Sequence, residues 1–239
     1  MKNISSLITL IAALLIFSFT PTGAADNPFL ELVSGSKIYF SHIATIDGWE
    51  TEIAVINPTT APAAATLTSY DSTGSLIGQE VRINLTSHGR YQVEVGKSFT
   101  NPGYIAYIVL TSETFGLKGY SKFYSGGTRA SIMASTPKTS GLFTKIEKNG
   151  WTGIAFINTA SVTANITLTA YNDQGEDVTV ETMQVPSGGK IVKTVEQIFV
   201  QSVVRATYVG YTSDQGVVGF FLNGSGSGVN AMLDGSKAL

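Results

Sequence analysis

Gly150-Trp151-Thr152-Gly153-Ile154-Ala155-Phe156-Ile157-Asn158, followed by Ile166-Thr167-Leu168-Thr169-Ala170-Tyr171 and a turn closing at Gly175, occurs twice in this chain. The earlier copy reads Gly48-Trp49-Glu50-Thr51-Glu52-Ile53-Ala54-Val55-Ile56-Asn57, then Thr66-Leu67-Thr68-Ser69-Tyr70-Asp71 and a turn closing at Gly74. A match displaced by about a hundred residues is longer than a solenoid repeat. It predicts two tandem domains of one design, 37–135 and 141–236, joined by a short linker at 136–140 that contains Pro137. Each is long enough to bury a core of its own.

The pattern inside each copy is that of strands. Ile38-Tyr39-Phe40 and Ile53-Ala54-Val55-Ile56 are short runs of aromatic and β-branched residues, the second stopped by Asn57-Pro58. Ile166 to Tyr171 alternates, with Ile166, Leu168 and Ala170 on one face and Thr167, Thr169 and Tyr171 on the other. The turns Asp71-Ser72-Thr73-Gly74 and Asn172-Asp173-Gln174-Gly175 begin with an Asx side chain and end with glycine, as a hairpin turn requires. Val81–Leu85 and Val178–Val185, Tyr91–Val95 and Ile191–Val195, Tyr104–Thr111 and Ala206–Thr212, and Leu117–Tyr124 and Val217–Leu222 continue the series. One helical turn is expected over Val195–Phe199. The fold class expected is all-β: two tandem antiparallel β-sandwich domains, immunoglobulin-like in outline, with a jelly roll as the alternative. Trp49 and Trp151 open the most apolar strand of each copy and are expected in the cores, and the extra residue between Trp49 and Ile53 suggests a β-bulge.

Ahead of the repeats stands a targeting segment. Lys2, the apolar run Leu7–Phe19 and the small residues Thr22-Gly23-Ala24-Ala25 read as a secretory signal peptide over 1–25, the alternative being an uncleaved anchor. A lead-in at 26–36 follows, with Phe29, Leu30 and Val33 as a short strand. The expected location is therefore the periplasm or the exterior. Absence of cysteine excludes a disulfide framework, thiolate catalysis and Cys-based zinc sites. With 15 basic against 17 acidic residues and no basic run, nucleic acid is not an expected partner.

The repeated Trp-x(2–3)-Ile-Ala-x-Ile-Asn, followed by Thr-Leu-Thr-x-Tyr-Asx-x-x-Gly, resembles a family of uncharacterised exported bacterial β-sandwich repeat modules. The likeness covers both copies. It implies a bacterial envelope or secreted setting and carries no activity, cofactor or binding residue across.

Candidates for chemistry are few. His42 and His88 are the two histidines, and neither has a counterpart in the second copy. No metalloprotease, hydrolase or P-loop motif occurs. Asp173, Glu176 and Asp177 could form a calcium loop, but the first copy offers only Asp71 there, against the six to eight oxygens calcium takes. Gly224-Ser225-Gly226-Ser227-Gly228 reads as a flexible hairpin rather than a phosphate cradle. No catalytic, cofactor or metal residue is expected, and the protein is read as non-catalytic. Tyr70 and Tyr171 fall on the outward face of their strands, either as cover for a neighbouring strand or as a ligand platform. Where the first copy has Lys118, Tyr120 and Lys122, the second has Val218, Phe220 and Leu222. That apolar stripe is expected to pack on the first domain, the lead-in or a partner chain, unless a register shift buries it in the second core. The function expected is a protein-interaction or structural module, with a carbohydrate-binding sandwich as the alternative.

Overall fold

The structure, a computed structural model, describes residues 35–225 and 232–239. The segment expected to be a signal peptide, nearly all of the expected lead-in and residues 226–231 of the glycine-rich stretch lie outside the described residues. No helix among the described residues is long and apolar enough to cross a membrane. The regular structure of the described chain is nearly all antiparallel strand, as its alternating apolar pattern requires.

The first repeat consists of β1 (Ser36–Phe40), β2 (Glu50–Ile56), β3 (Ala63–Tyr70), β4 (Val81–Leu85), β5 (Arg90–Glu94), β6 (Tyr107–Ser112), β7 (Lys118–Ser125) and β8 (Thr128–Met133). They form two four-stranded sheets, ordered β1-β6-β3-β4 and β5-β2-β7-β8. One core lies between them: Phe40, Leu67, Ile108 and Leu110 of the first sheet meet Ile53, Val55 and Val93 of the second. Each fully buried side chain of this size stabilises the fold by about 1.5–3 kcal/mol. β1 pairs with β6, whereas the first strand of an immunoglobulin sandwich pairs with the second, so the strand order departs from that outline.

The second repeat contains β9 (Lys138–Phe143), β10 (Gly150–Asn158), β11 (Ala164–Tyr171), β12 (Asp177–Val185), β13 (Lys190–Thr194), β14 (Tyr208–Ser225) and β15 (Met232–Lys237). The stretch expected to be a linker is thus partly strand. The pairing mirrors the first repeat, with β9, β11 and β12 around the first half of β14 and β10, β13 and β15 around the second. Where two strands were expected, at 206–212 and 217–222, β14 runs 18 residues without a break and joins everything into one seven-stranded sheet. The first repeat has one residue more here, and the shared glycine differs in conformation. Gly116 takes a left-handed φ of 83° and turns the chain between β6 and β7, whereas Gly216 adopts no positive φ and the strand continues. Phe143, Phe156, Leu168, Val209 and Phe221 fill the second core.

The expected bulge before Ile53 is absent, since Glu50 to Ile56 pair with β7 in unbroken register. Thr51 lies opposite Phe123, and Thr152 lies opposite Asn223 at the same place in the second repeat. It is these threonines that correspond, and both are buried. Trp49 therefore falls outside its strand while Trp151 lies within β10. Neither sits in its repeat's own core: Trp49 is half-buried with its ring 6.1 Å from that of Phe123, and Trp151 is 43% exposed over Gly224.

The repeats meet through two apolar clusters. Tyr39, Tyr107 and Val109 of the first cluster with Ile157 and Val218 of the second, and Phe123, Ala130 and Ile132 cluster with Ala155 and Phe220. Leu222, half-buried, packs beside the latter group. The Val218–Phe220–Leu222 stripe is thus covered by the first repeat. The equivalent face of the first repeat is polar: Glu52 accepts from Lys122 at 2.9 Å and from Tyr120 at 3.3 Å, and Lys118 is exposed. Backbone contacts fix the relation of the two repeats. Tyr107 Oη donates to Gly188 O at 2.8 Å, and Lys190 donates from its N–H to Ser72 O (2.9 Å) and from Nζ to Ala106 O (2.7 Å).

Candidate functional site: an open aromatic face on the second repeat

The outward face of β9, β11 and the first half of β14 is the counterpart of the face the first repeat uses against the second. Period-2 alternation dictates who stands on it: with Leu168 and Ala170 committed to the core, Thr167, Thr169 and Tyr171 point outward. Tyr171 and Tyr208 lie directly opposite each other and stack, ring centroids 5.0 Å apart at 18°. Tyr70 and Tyr107 form the same pair in the first repeat, at 5.2 Å and 12°, but belong to the contact between repeats. The second pair has no such cover among the described residues.

One substitution changes this face further. Val109 of the first repeat is replaced by Gly210, which meets the Cε2 edge of the Tyr171 ring. A Cβ there would stand 3.0 Å from Cε2 of Tyr171 and 3.4 Å from Cδ2 of Leu142, so glycine lets the ring settle onto the neighbouring strand. The result is an open concavity of about 890 Å³, with Lys138, Ser140 and Leu142 on one side and Thr167, Thr169 and Tyr171 on the other. Among the described residues its lining contains no acidic or histidine side chain.

The other sequence candidates do not gather here. His42 lies at the contact between repeats, its ring 4.6 Å from Phe123 and 5.6 Å from Phe220, with Nδ1 shut from water and lacking a hydrogen-bond partner. Burial, and then the charge of Lys190, lower its pKa to about 3. His88 is exposed in a hairpin turn with a φ of 55°. Among the described residues no group of three acidic or histidine side chains is placed to hold a metal. In the region weighed as a calcium loop, Asn172 instead holds the turn, its Oδ1 accepting from the N–H of Gln174 and Glu176.

Sequence reading singled out Tyr171 but not Tyr208, Gly210 or Leu142. A strand-by-strand alignment of the repeats holds the signal, because Tyr107 and Tyr208 recur while Val109 changes to glycine.

No family model matches the chain, and no curated protein does. Among solved structures, Thermotoga maritima 1070 aligns at 14% identity and a TM-score of 0.38, over 43% of this chain and 94% of its own. A protein of Parabacteroides distasonis held to be secreted aligns at 11% identity and 0.24, over 75% of this chain and 69% of its own. A glycoside hydrolase family 2 β-glucuronidase aligns at 8% identity and 0.20, and the chain spans 23% of it. Likenesses at these scores carry no argument about function.

Proposed function

We propose that this protein is a non-catalytic, exported bacterial module of two tandem β-sandwiches, acting in the envelope or outside the cell as a structural or interaction protein. Its contact surface is the outer face of β9, β11 and β14. The observation that carries the reading is the unequal fate of one aromatic pair: Tyr70 and Tyr107 are consumed by the contact between repeats, while Tyr171 and Tyr208 have no such cover among the described residues. Surfaces of this kind on secreted modules commonly mark binding sites. Support for the non-catalytic part comes from His42, whose Nδ1 is buried with no hydrogen-bond partner among the described residues.

Capture experiments with envelope and culture-supernatant fractions test this, comparing the natural protein with Leu142→Lys and Tyr171→Ala. Loss of capture in both variants, with melting unchanged, is expected. Capture that survives both places the contact surface elsewhere. The export component predicts a mature N-terminus at Ala25 or Asp26, read by mass spectrometry of exported material. A second reading, a carbohydrate-binding sandwich, is favoured by the room Gly210 leaves at the edge of the Tyr171 ring.

A further inference from the structure

We propose that the concavity beside Tyr171 and Gly210 binds a neutral pyranose residue of a glycan; this rests on the reading of that face as the contact surface. Three observations converge. The first is Gly210 itself. Glycine weakens a strand interior, and where it persists it marks a bulge, a bend or the close approach of another group. β14 keeps straight register with β11 through Gly210, which removes the first two explanations. What glycine supplies is room for the Tyr171 ring, brought within 3.0 Å of the position a Cβ would occupy.

The second is chemical. A pyranose ring presents a patch of C–H groups on one face and hydroxyls around its edge, so it needs an aromatic surface bordered by neutral donors and acceptors. Tyr171 and Tyr208 offer the rings, and the hydroxyls of Thr167, Thr169, Thr212 and Ser140 line the same concavity. Charge argues for neutrality. Lys138 is the one charged side chain in the lining among the described residues, which suits neither a polyanion nor a cation. The third is size: about 890 Å³ lies in the range of small-molecule sites and exceeds one sugar unit, so an oligosaccharide can pass through with one residue on the tyrosine. The first repeat cannot offer this site, since Val109 and the neighbouring repeat occupy the equivalent place.

The test is titration calorimetry of the protein with cellohexaose, chitohexaose and maltohexaose, preceded by a wider array of neutral glycans. Binding to at least one is expected. Gly210→Val reproduces the residue the first repeat already carries and lifts the Tyr171 ring. It is expected to weaken binding by about an order of magnitude or more without lowering the melting temperature, as is Tyr171→Ala. Tyr120→Ala, on the polar face of the first repeat, should leave affinity unchanged. Absence of binding across the array overturns the proposal, as does binding indifferent to both Gly210→Val and Tyr171→Ala. Should glycans fail while Tyr171→Ala still abolishes capture of a protein from envelope fractions, the sugar assignment falls and the contact surface stands.

Discussion

Asn57 and Asn158 end the repeated motif because each ties three chain segments together. The Nδ2 group of Asn158 donates to Val162 O at 2.7 Å and Val185 O at 3.0 Å, while its Oδ1 accepts from the Ala160 N–H. Asn57 makes the matching set with Ala61, Thr86 and Thr59, and both residues are fully buried. Asn158→Ala leaves several buried backbone groups without partners and is expected to cost about 2–3 kcal/mol in urea unfolding. The tryptophans of the same motif should differ from one another. Trp151→Ala removes a ring that is 43% exposed and is expected to cost below about 1 kcal/mol. Trp49→Ala removes a half-buried ring beside Phe123, at the contact between repeats, and should cost roughly 2 kcal/mol. Equal losses for the two would contradict their inequivalent positions.

At the level of elements, the paired hairpin turns provide an internal control on how the repeats are held. Asp71 accepts from the N–H groups of Thr73 and Ser75 just as Asn172 does in the second copy, and both turns close on a glycine with positive φ, 86° at Gly74 and 78° at Gly175. Any side chain at either position meets the same left-handed penalty, about 1 kcal/mol or slightly more. Surroundings separate them. A Cβ on Gly175 would meet nothing within 4 Å, whereas one on Gly74 would lie 2.6 Å from the carbonyl oxygen of Gly188 in the other repeat. Gly175→Ala should therefore lower stability by about 1 kcal/mol, and Gly74→Ala by at least about 2 kcal/mol. A backbone-to-backbone approach cannot be relieved by a rotamer change. Matching losses in chemical denaturation would show that the two turns are not held together in solution.

For the whole molecule, the contact between repeats encloses two basic groups around Phe220. His42 lies beside that ring, and Lys190 Nζ stands 5.3 Å from its centroid. No acidic side chain forms an ion pair with either among the described residues. Burial brings Lys190 down to about 7 and His42 to about 3, so the folded protein binds fewer protons than the unfolded chain. The sign follows: the contribution of neutral His42 is complete above its ordinary value of 6.5 and is lost as pH falls towards 3. Lys190 contributes in the same sense between 10.5 and 7. Stability is expected to drop by up to about 1.4 kcal/mol per pH unit below 6.5, and His42→Phe should flatten that slope. Glu94, Glu147 and Asp214, held low by hydrogen bonds from Lys97, Lys145 and Asn165, lose their contributions only below about pH 4.5. Unfolding midpoints measured from pH 7 to 4.5 isolate the histidine; an unchanged slope in His42→Phe contradicts the assignment.

The sequence by itself determined what depends on neighbours a few residues away. Period-2 alternation selected the core residues of β3 and β11, Asp71 and Asn172 specified their turns, and Thr194 with Gln197 closed a capping box over the helical turn Val195–Ile198. These signals are local, so they survive without knowledge of the fold. Tertiary structure alone decided what covers each outward face. The stripe Val218–Phe220–Leu222 and the pair Tyr171–Tyr208 are both apolar surfaces by sequence, yet the first is covered by another repeat and the second, among the described residues, is not. Trp151 reads as core and is largely outside it, because alternation along β10 puts it on the side of Ala155 and Ile157, opposite the core residues Ile154 and Phe156. Alternation fixes which side a residue faces; what lies on that side is set by chain segments far away in sequence, through packing that no local pattern records.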